Sequence, residues 1–590
     1  MLNKILINIP KYEDLKKYRI SDLESLAFTI RKKLIELSKN KAIHLSSNLG
    51  IVELSIASLV VFNSPKDKII YDTGHQSYVH KILTDRFNDI ETIRDTNGLS
   101  GFQNPKESIH DFVSLGHSGT ALSIAQGATE HSNSNHYFVP IIGDAAFTTG
   151  INFEALNNIA YNRTKMIIII NDNNMSISKN VGYFSTLFKE SEFYVDSANL
   201  KKIFNKKEEV KNDFKKIVEL MNFKYIGLVD GNNLLETINA LKDAKYHSKF
   251  KPVIVHVKTQ KGKGLIEAEK DKVGKYHSTK ITDENNIENF GYHASNFLEQ
   301  IIQMDENVMI LNPGMTYSSG FLNLEMNYPN NIEDLGIAEE HTVSKAAGIS
   351  LVNKKVFINI YSTFLQRSYD SIMQDIARNR LNPVFLVDRA DISYNDGNTH
   401  HGIYDIGFLK TMNNCIITSP SNKYELERLI YLGYKNEIDP FFIRYPKDKC
   451  SLDVSHTKKF NFGEWIQIFK RLGAKKCIIS YGNPIDILKN KMNCNHDFDL
   501  INAIFITHYY KDEVIKILKK YKTIFVYEKV VDSGCLGNDL IQIAFENKID
   551  VTIVKQNIKN NFIDHGNKID IDKMLELDID DFIKKVIKYN

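Results

Sequence analysis

The sequence predicts an α/β protein of three consecutive domains with mostly parallel sheets. Two observations carry this. Short, unbroken apolar runs, each ended by turn residues, recur along the chain, at 68–71 before Asp72, 137–142 before Gly143 and 166–170 before Asn171. Stretches of helical period lie between them, and strands buried on both faces between helices mark a parallel sheet. The composition agrees: 590 residues, 43% hydrophobic and 25% charged, give ordinary globular proportions and enough chain for several cores.

Taken in order, the first element is a helix from about Ser21. Ser21 and Glu24 have capping-box spacing, and Leu23, Leu26, Ile30, Leu34 and Leu37 recur at helical period. The three strands above follow. The stretch 184–216 is rich in Lys, Glu, Asn and Phe with weak periodicity. It reads equally as a mobile lid or as a solvated helical insertion. A strand at 254–257 precedes the Gly- and Lys-rich turn 261–264, completing a first domain, 1–290. The second domain, 291–450, has expected strands at 308–311, 356–361 and 384–388. The third, 451–590, has them at 477–480, 503–506, 523–527 and 551–554.

Several function classes drop out. Net charge is +3 and the basic residues are spread, which argues against a nucleic-acid protein. The five cysteines are widely spaced, odd in number and without a CxxC, so a disulfide framework or zinc site is not expected. No apolar run approaches the roughly 18–20 residues of a membrane helix, and the N-terminal stretch lacks an apolar targeting core. The expected location is therefore cytoplasmic. Only 12 of the 75 basic residues are Arg. Where Arg persists in so Lys-rich a chain, a planar bidentate donor is expected.

The most informative segment is 143–175. Gly143-Asp144 follows a strand, and a helical pattern opens just beyond, at Asn152 to Ile159. Ligands bind at the carboxyl ends of parallel strands, and a helix start offers N–H groups to phosphate. The next strand ends in Asn171-Asp172-Asn173-Asn174-Met175. Either half alone reads as an Asx turn. Together they offer a carboxylate, an amide oxygen and a carbonyl to one point, which suits Mg²⁺ shared with phosphates.

Gly-Asp followed by Asn-x-Met resembles the thiamine-diphosphate motif of the transketolase superfamily. Flanking segments are similar to the 1-deoxy-D-xylulose-5-phosphate synthase family: HLSSNLGIVEL from His44, YDTGHQSYVHKILT from Tyr71, SLGHSGTALSIA from Ser114, FEALNNIA from Phe153, NDNNMSIS from Asn171 and YIGLVDGNN from Tyr225. The likeness continues through LGIAEEH from Leu335, YSTFLQRSYD from Tyr361, DRADISYNDGNTHHGIYD from Asp388 and FIRYPK from Phe442. It is looser in the third domain, at YEKVVDSGCLG and FIDHG.

The resemblance implies a transketolase-like fold. Residues 1–290 would bind the diphosphate and Mg²⁺, 291–450 the pyrimidine, and 451–590 would match the transketolase C-terminal domain. The implied Mg²⁺ ligands are Asp144, Asn173 and the Met175 carbonyl. The diphosphate would meet the N–H groups of Ala145 and Ala146, with His75, Gly116, His117 and Ser118 lining the site. Lys261 either adds a positive charge there or lies in a solvated turn.

Glu339 is implied to hydrogen-bond the aminopyrimidine and set up the thiazolium carbon for attack. Its pKa should be raised by partial burial. Phe364 would stack on the pyrimidine. His44, His277 and His400 are implied proton handlers and hydroxyl binders. Arg389 and Arg444 are assigned to an aldehyde phosphate, with Tyr361 and Asp396 nearby, while Arg367 reads as structural or cofactor-adjacent. Glu340 and His401 receive no role.

The implied reaction is decarboxylation of pyruvate and carboligation to D-glyceraldehyde 3-phosphate. The product, 1-deoxy-D-xylulose 5-phosphate, would feed isoprenoid, thiamine and pyridoxal synthesis. A homodimer is implied too. Three departures from the family pattern bear on the cofactor: Ala145 as third residue of Gly-Asp-Gly, Asn232 for the His of VDGH, and Leu265 in place of an aromatic. The stretch after Val181 is also shorter than the pattern. Two rival readings are a transketolase-like paralogue with another donor and acceptor, and a non-catalytic regulatory paralogue.

Overall fold

Alternate residues of each apolar run enter different cores, which is why the runs are unbroken. Ile69, Ile141, Ile167, Ile169 and Val255 face one buried cluster, and Ile70, Ile142, Ile168, Ile170 and Ile254 face another. The structure, a computed structural model, describes residues 11–133, 135–173, 180–189, 213–271, 274–277, 288–452, 459–493 and 496–589. The chain divides into two units, Met1–Asn285 and Asn286–Asn590.

The first unit holds a five-stranded sheet made of β1 (Lys68–Tyr71), β2 (Phe138–Gly143), β3 (Ile167–Asp172), β4 (Lys224–Asp230) and β5 (Val253–Lys258). Its order is β1-β2-β3-β5-β4, and every pair is parallel. The first helix runs Ile20–Asn40, one residue earlier than expected. The Ser21–Glu24 box is corrected: Ser21 lies inside the helix, and the Asp22 carboxylate accepts from the Arg19 amide (3.2 Å) and Nε (3.1 Å). Of the stretch 184–216, residues 190–212 lie outside the described residues. Its two described ends pack into an aromatic cluster, with Phe188 5.8 Å from Phe147 and 4.8 Å from Phe214 between ring centres.

The second unit holds two sheets. One comprises β6 (Met309–Asn312), β7 (Ile332–Asp334), β8 (Val356–Tyr361), β9 (Val384–Asp388), β10 (Ile416–Thr418) and β11 (Phe441–Arg444). It is parallel throughout, in the order β10-β11-β9-β8-β6-β7. The other comprises β12 (Ile466–Phe469), β13 (Lys476–Ser480), β14 (Phe498–Asn502), β15 (Thr523–Val531) and β16 (Thr552–Ile558). Its order is β12-β14-β13-β15-β16, with β12 antiparallel to β14.

Ile358 and Phe385 of one sheet share a buried cluster with Ile479 and Val526 of the other. The expected strand 503–506 is corrected by this arrangement. The strand is Phe498–Asn502, and the next four residues, all fully buried, cross to the neighbouring sheet. There Phe505 bridges Thr418 and the Ile506 amide donates to the Ile417 carbonyl at 2.8 Å. The run is apolar because it lies between sheets, not because it is paired within one.

Cys415, Cys450, Cys477 and Cys535 are buried free thiols; Cys494 lies outside the described residues. Among the described residues, no helix is long and apolar enough to cross a membrane.

Candidate active site

In the first unit, β2 and β3 pair with Gly143 opposite Asn171, so their carboxyl ends lie side by side. Asp144 is the first residue past β2 and is 3% exposed. Its carboxylate accepts from the amides of Ala145 (3.0 Å) and Asn173 (3.2 Å) and from Asn180 Nδ2 (2.7 Å). Burial, and then the neighbouring Asp172 carboxylate, push Asp144 up to about 8. Asp172 is also fully buried and lies 3.1 Å from His256 Nε2, whose Nδ1 faces the Tyr225 hydroxyl at 2.9 Å. Asn180 Oδ1 is buried with no hydrogen-bond partner.

Lys258 Nζ lies 3.4 Å from Asp172 Oδ1, yet Asp144 stays crowded by the second carboxylate, and with the orphaned Asn180 oxygen beside it a small hard cation fits the donor set. Burial drives the Lys261 ammonium down to about 8 against the opposing pull of Asp144 and Asp271. A cavity of about 440 Å³ is lined by Asn173, Lys258, Lys261 and Asp271 among others. Met175 lies outside the described residues. Ala145 and Ala146 sit in the helical turn Asp144–Phe147, and Ala145 has no positive φ, so its backbone does not call for glycine.

The loop carrying Gly116, His117 and Ser118 is pinned by Asp72, just past β1. That carboxylate accepts from the amides of Gly119 (2.8 Å) and Ala121 (2.9 Å). Gly119 has φ +107°, and a Cβ there would come 2.8 Å from Thr149 Oγ1, so the turn requires glycine. His44, His75 and His277 come together, with ring centres 4.5 Å (44 to 75), 5.5 Å (44 to 277) and 5.2 Å (75 to 277) apart. His44 Nδ1 lies 3.3 Å from the Tyr78 hydroxyl, and His75 Nε2 lies 3.4 Å from Ser47 Oγ. Asn48 Nδ2 donates to both the His44 and His75 carbonyls at 2.7 Å, fixing the two segments together.

Two of the departures have structural jobs. Asn232 donates to the Gly50 carbonyl and to Glu53 (both 3.0 Å) and accepts from the Gln260 amide (2.8 Å). It therefore anchors the turn bearing Lys261. Leu265 packs against the first core.

The second unit gathers the other predicted residues. Glu339 is the first residue of the helix Glu339–Leu351 and is 3% exposed, whereas Glu340 is exposed. Glu339 Oε2 has no hydrogen-bond partner, and the nearest cation is Arg367 Nη1 at 3.6 Å. Burial raises the Glu339 pKa despite the opposing effect of Arg367. The Phe364 ring lies parallel to Tyr361 at 5.6 Å and edge-on to His400 at 5.8 Å. The Arg389 guanidinium stands over the Tyr361 ring at 4.4 Å, pairs with Asp388 and donates to the Ser318 carbonyl at 2.6 Å. Asp396, half-buried, caps the turn Gly397–Thr399, next to His400.

Arg444 already has a carboxylate partner. Its Nε and Nη2 bind the two Asp405 oxygens at 2.9 and 3.0 Å, and the residue is 4% exposed.

The sequence reading missed Asp72, Asp172, Asn180 and the arginine partners Asp388 and Asp405. Asp72, Asp172 and Asp388 carry a usable signal, since each stands at the end of a strand as Asp144 does. The others are met only through folding.

Residues 6–259 match the family described as 1-deoxy-D-xylulose-5-phosphate synthase, and residues 292–451 match the transketolase pyrimidine-binding domain. The chain is 54% identical to the 1-deoxy-D-xylulose-5-phosphate synthase of Malacoplasma penetrans, over 99% of both chains. It is 35% identical to that of Clostridium acetobutylicum over 99% of both, and 36% identical to that of Listeria welshimeri over 95% of this chain and 94% of the other.

Proposed function

The chain belongs to the 1-deoxy-D-xylulose-5-phosphate synthase family, and from that premise we propose how its residues serve the reaction. It decarboxylates pyruvate and joins the remaining two carbons to D-glyceraldehyde 3-phosphate, giving 1-deoxy-D-xylulose 5-phosphate and CO₂. This is the first step of the non-mevalonate isoprenoid route, and the product also feeds thiamine and pyridoxal synthesis. The full-length likeness carries the reading. When bound, thiamine diphosphate supplies the carbon nucleophile and the electron sink for loss of CO₂.

Residues 1–290, 291–450 and 451–590 are taken as the diphosphate, pyrimidine and C-terminal domains. Asp144, Asn173 and the Met175 carbonyl would hold Mg²⁺, whose charge would offset the adjoining Asp144 and Asp172 carboxylates. The amides of Ala145 and Ala146 face the diphosphate, with His75, Gly116, His117, Ser118, Lys261 and His277 around it. Glu339 would offer its buried Oε2, which has no hydrogen bond and only the Arg367 guanidinium 3.6 Å away, to the aminopyrimidine nitrogen. Burial keeps a proton on that carboxyl at higher pH than an exposed glutamate would hold one. Phe364 packs on the pyrimidine.

His44 and His400 bind substrate hydroxyls and move protons. Arg389 and Arg444 receive the aldehyde phosphate, with Tyr361 and Asp396 nearby. With Nε and Nη2 on Asp405, Arg444 would use Nη1. The proposal extends to a cytoplasmic homodimer; a single-chain mass by light scattering at working concentration would count against the dimer.

Paired assays test the donor. Pyruvate is expected to support product formation from D-glyceraldehyde 3-phosphate, and a ketose phosphate is not. The reverse result would favour a transketolase-like enzyme, and turnover with neither donor would favour a regulatory protein.

A further inference from the structure

The loop bearing Asp396 and His400 is held by a segment distant in sequence. After β9, residues 391–402 lie against residues 563–566, which follow β16. The Gly566 amide donates to the Tyr394 carbonyl at 2.9 Å. Asn398 Nδ2 donates to Asp564 Oδ1 at 3.1 Å. Gly397 has φ +65°, and a Cβ there would come 2.7 Å from the His565 amide nitrogen, so the two backbones touch. Behind them, the Tyr394 hydroxyl donates to Asp572 (2.8 Å) and accepts from Lys529 Nζ (2.8 Å).

His401 completes the clasp. It is 2% exposed, its Nδ1 accepts from the Ser393 amide (3.0 Å), and its Nε2 lies 2.9 Å from the Ile563 carbonyl oxygen. These partners define the tautomer. An amide N–H only donates, so Nδ1 is bare, and a carbonyl only accepts, so Nε2 carries the proton. The ring is neutral, in keeping with burial lowering its pKa to about 4. One bond along the chain, the His400 ring sits 2.8 Å from Thr399 Oγ1 and edge-on to Phe364.

We infer that His401 is a positioning residue for the aldehyde half of the site, tying the loop of Asp396 and His400 to residues 563–566. Through it the segment after β16 sets the geometry of a loop that follows β9. The inference rests on the proposed role of that loop in binding the aldehyde.

The test compares full-length His401→Asn, His401→Gln and Asn398→Ala with His400→Ala, each loaded with thiamine diphosphate and Mg²⁺. The Asn side chain mimics Nδ1 and still accepts from Ser393 but falls short of Ile563. Gln reaches the Ile563 carbonyl with its terminal N–H. His401→Asn is expected to raise KM for the aldehyde by on the order of tenfold while KM for pyruvate stays within about twofold, and Gln is expected to recover most of the loss. Asn398→Ala, at an exposed position, should raise the same KM by about threefold. The inference falls if the Asn variant keeps a wild-type aldehyde KM, or if both KM values rise together as the protein melts earlier. A normal aldehyde KM in His400→Ala would instead remove the reading of the loop, and the inference with it. A raised KM there beside an unchanged His401→Asn removes the inference alone.

Discussion

Glu339 and Arg367 face each other across 3.6 Å inside the second unit, both largely buried. The guanidinium lies close enough to favour the carboxylate, yet burial dominates and the Glu339 pKa is raised. Arg367 thus tempers how firmly Glu339 keeps its proton.

Replacing Arg367 by Gln should raise the Glu339 pKa further, since the cation is lost and the burial remains. The alkaline limb of kcat/KM is expected to move up by on the order of one pH unit. A limb that stays in place or moves down would show that Arg367 does not act on Glu339.

Glu339→Gln should cut turnover by at least about 10²-fold. It should change the melting temperature of the cofactor-free protein little, because burial outweighs the 3.6 Å pairing with Arg367 and Oε2 has no hydrogen bond to lose. Near-normal turnover would remove Glu339 from its role, and loss of fold together with turnover would make it a structural residue.

What was legible in the sequence follows from where each signal lies. Ile167–Ile170 read as a strand because every position is buried, and Asp144 read as a site because its strand end and helix start are contiguous. The edge strand β4, KYIGLVD, shows mixed burial and gives no unbroken run. Residues 503–506 are as apolar as a strand because they cross between sheets. The pairs Arg444–Asp405, Glu339–Arg367 and Asp172–His256 join distant segments, and no local pattern announces them.

Asp144 and Ala145 predict the behaviour of the cofactor site. Thiamine diphosphate with Mg²⁺ at a hundredfold excess over Kd should stabilise the protein by about 2.7 kcal/mol, read as a rise in melting temperature. Asp144→Ala should abolish the rise. Ala145→Gly should lower the cofactor Kd if the methyl crowds the diphosphate, while costing the free protein about 0.5–1 kcal/mol as a helical glycine. An unchanged Kd in Ala145→Gly would show that the methyl is accommodated.

The neutral His401 predicts acid sensitivity. Its folded pKa is about 4 against an ordinary 6.5. Between those values the unfolded chain binds a proton that the folded chain refuses. The stabilising contribution is full above about pH 6.5, is lost as pH falls toward 4, and changes no further below. Melting temperatures of His401→Gln should therefore decline less steeply than wild type across that window. Parallel curves would mean that the ring accepts a proton without cost.

The central claim is most directly tested by supplying the purified protein, thiamine diphosphate and Mg²⁺ with carboxyl-labelled pyruvate and D-glyceraldehyde 3-phosphate, following label and product together. One labelled CO₂ is expected for each 1-deoxy-D-xylulose 5-phosphate formed, both depending on the aldehyde and the cofactor. Cofactor binding without release of label, or release with no 1-deoxy sugar formed, would contradict it.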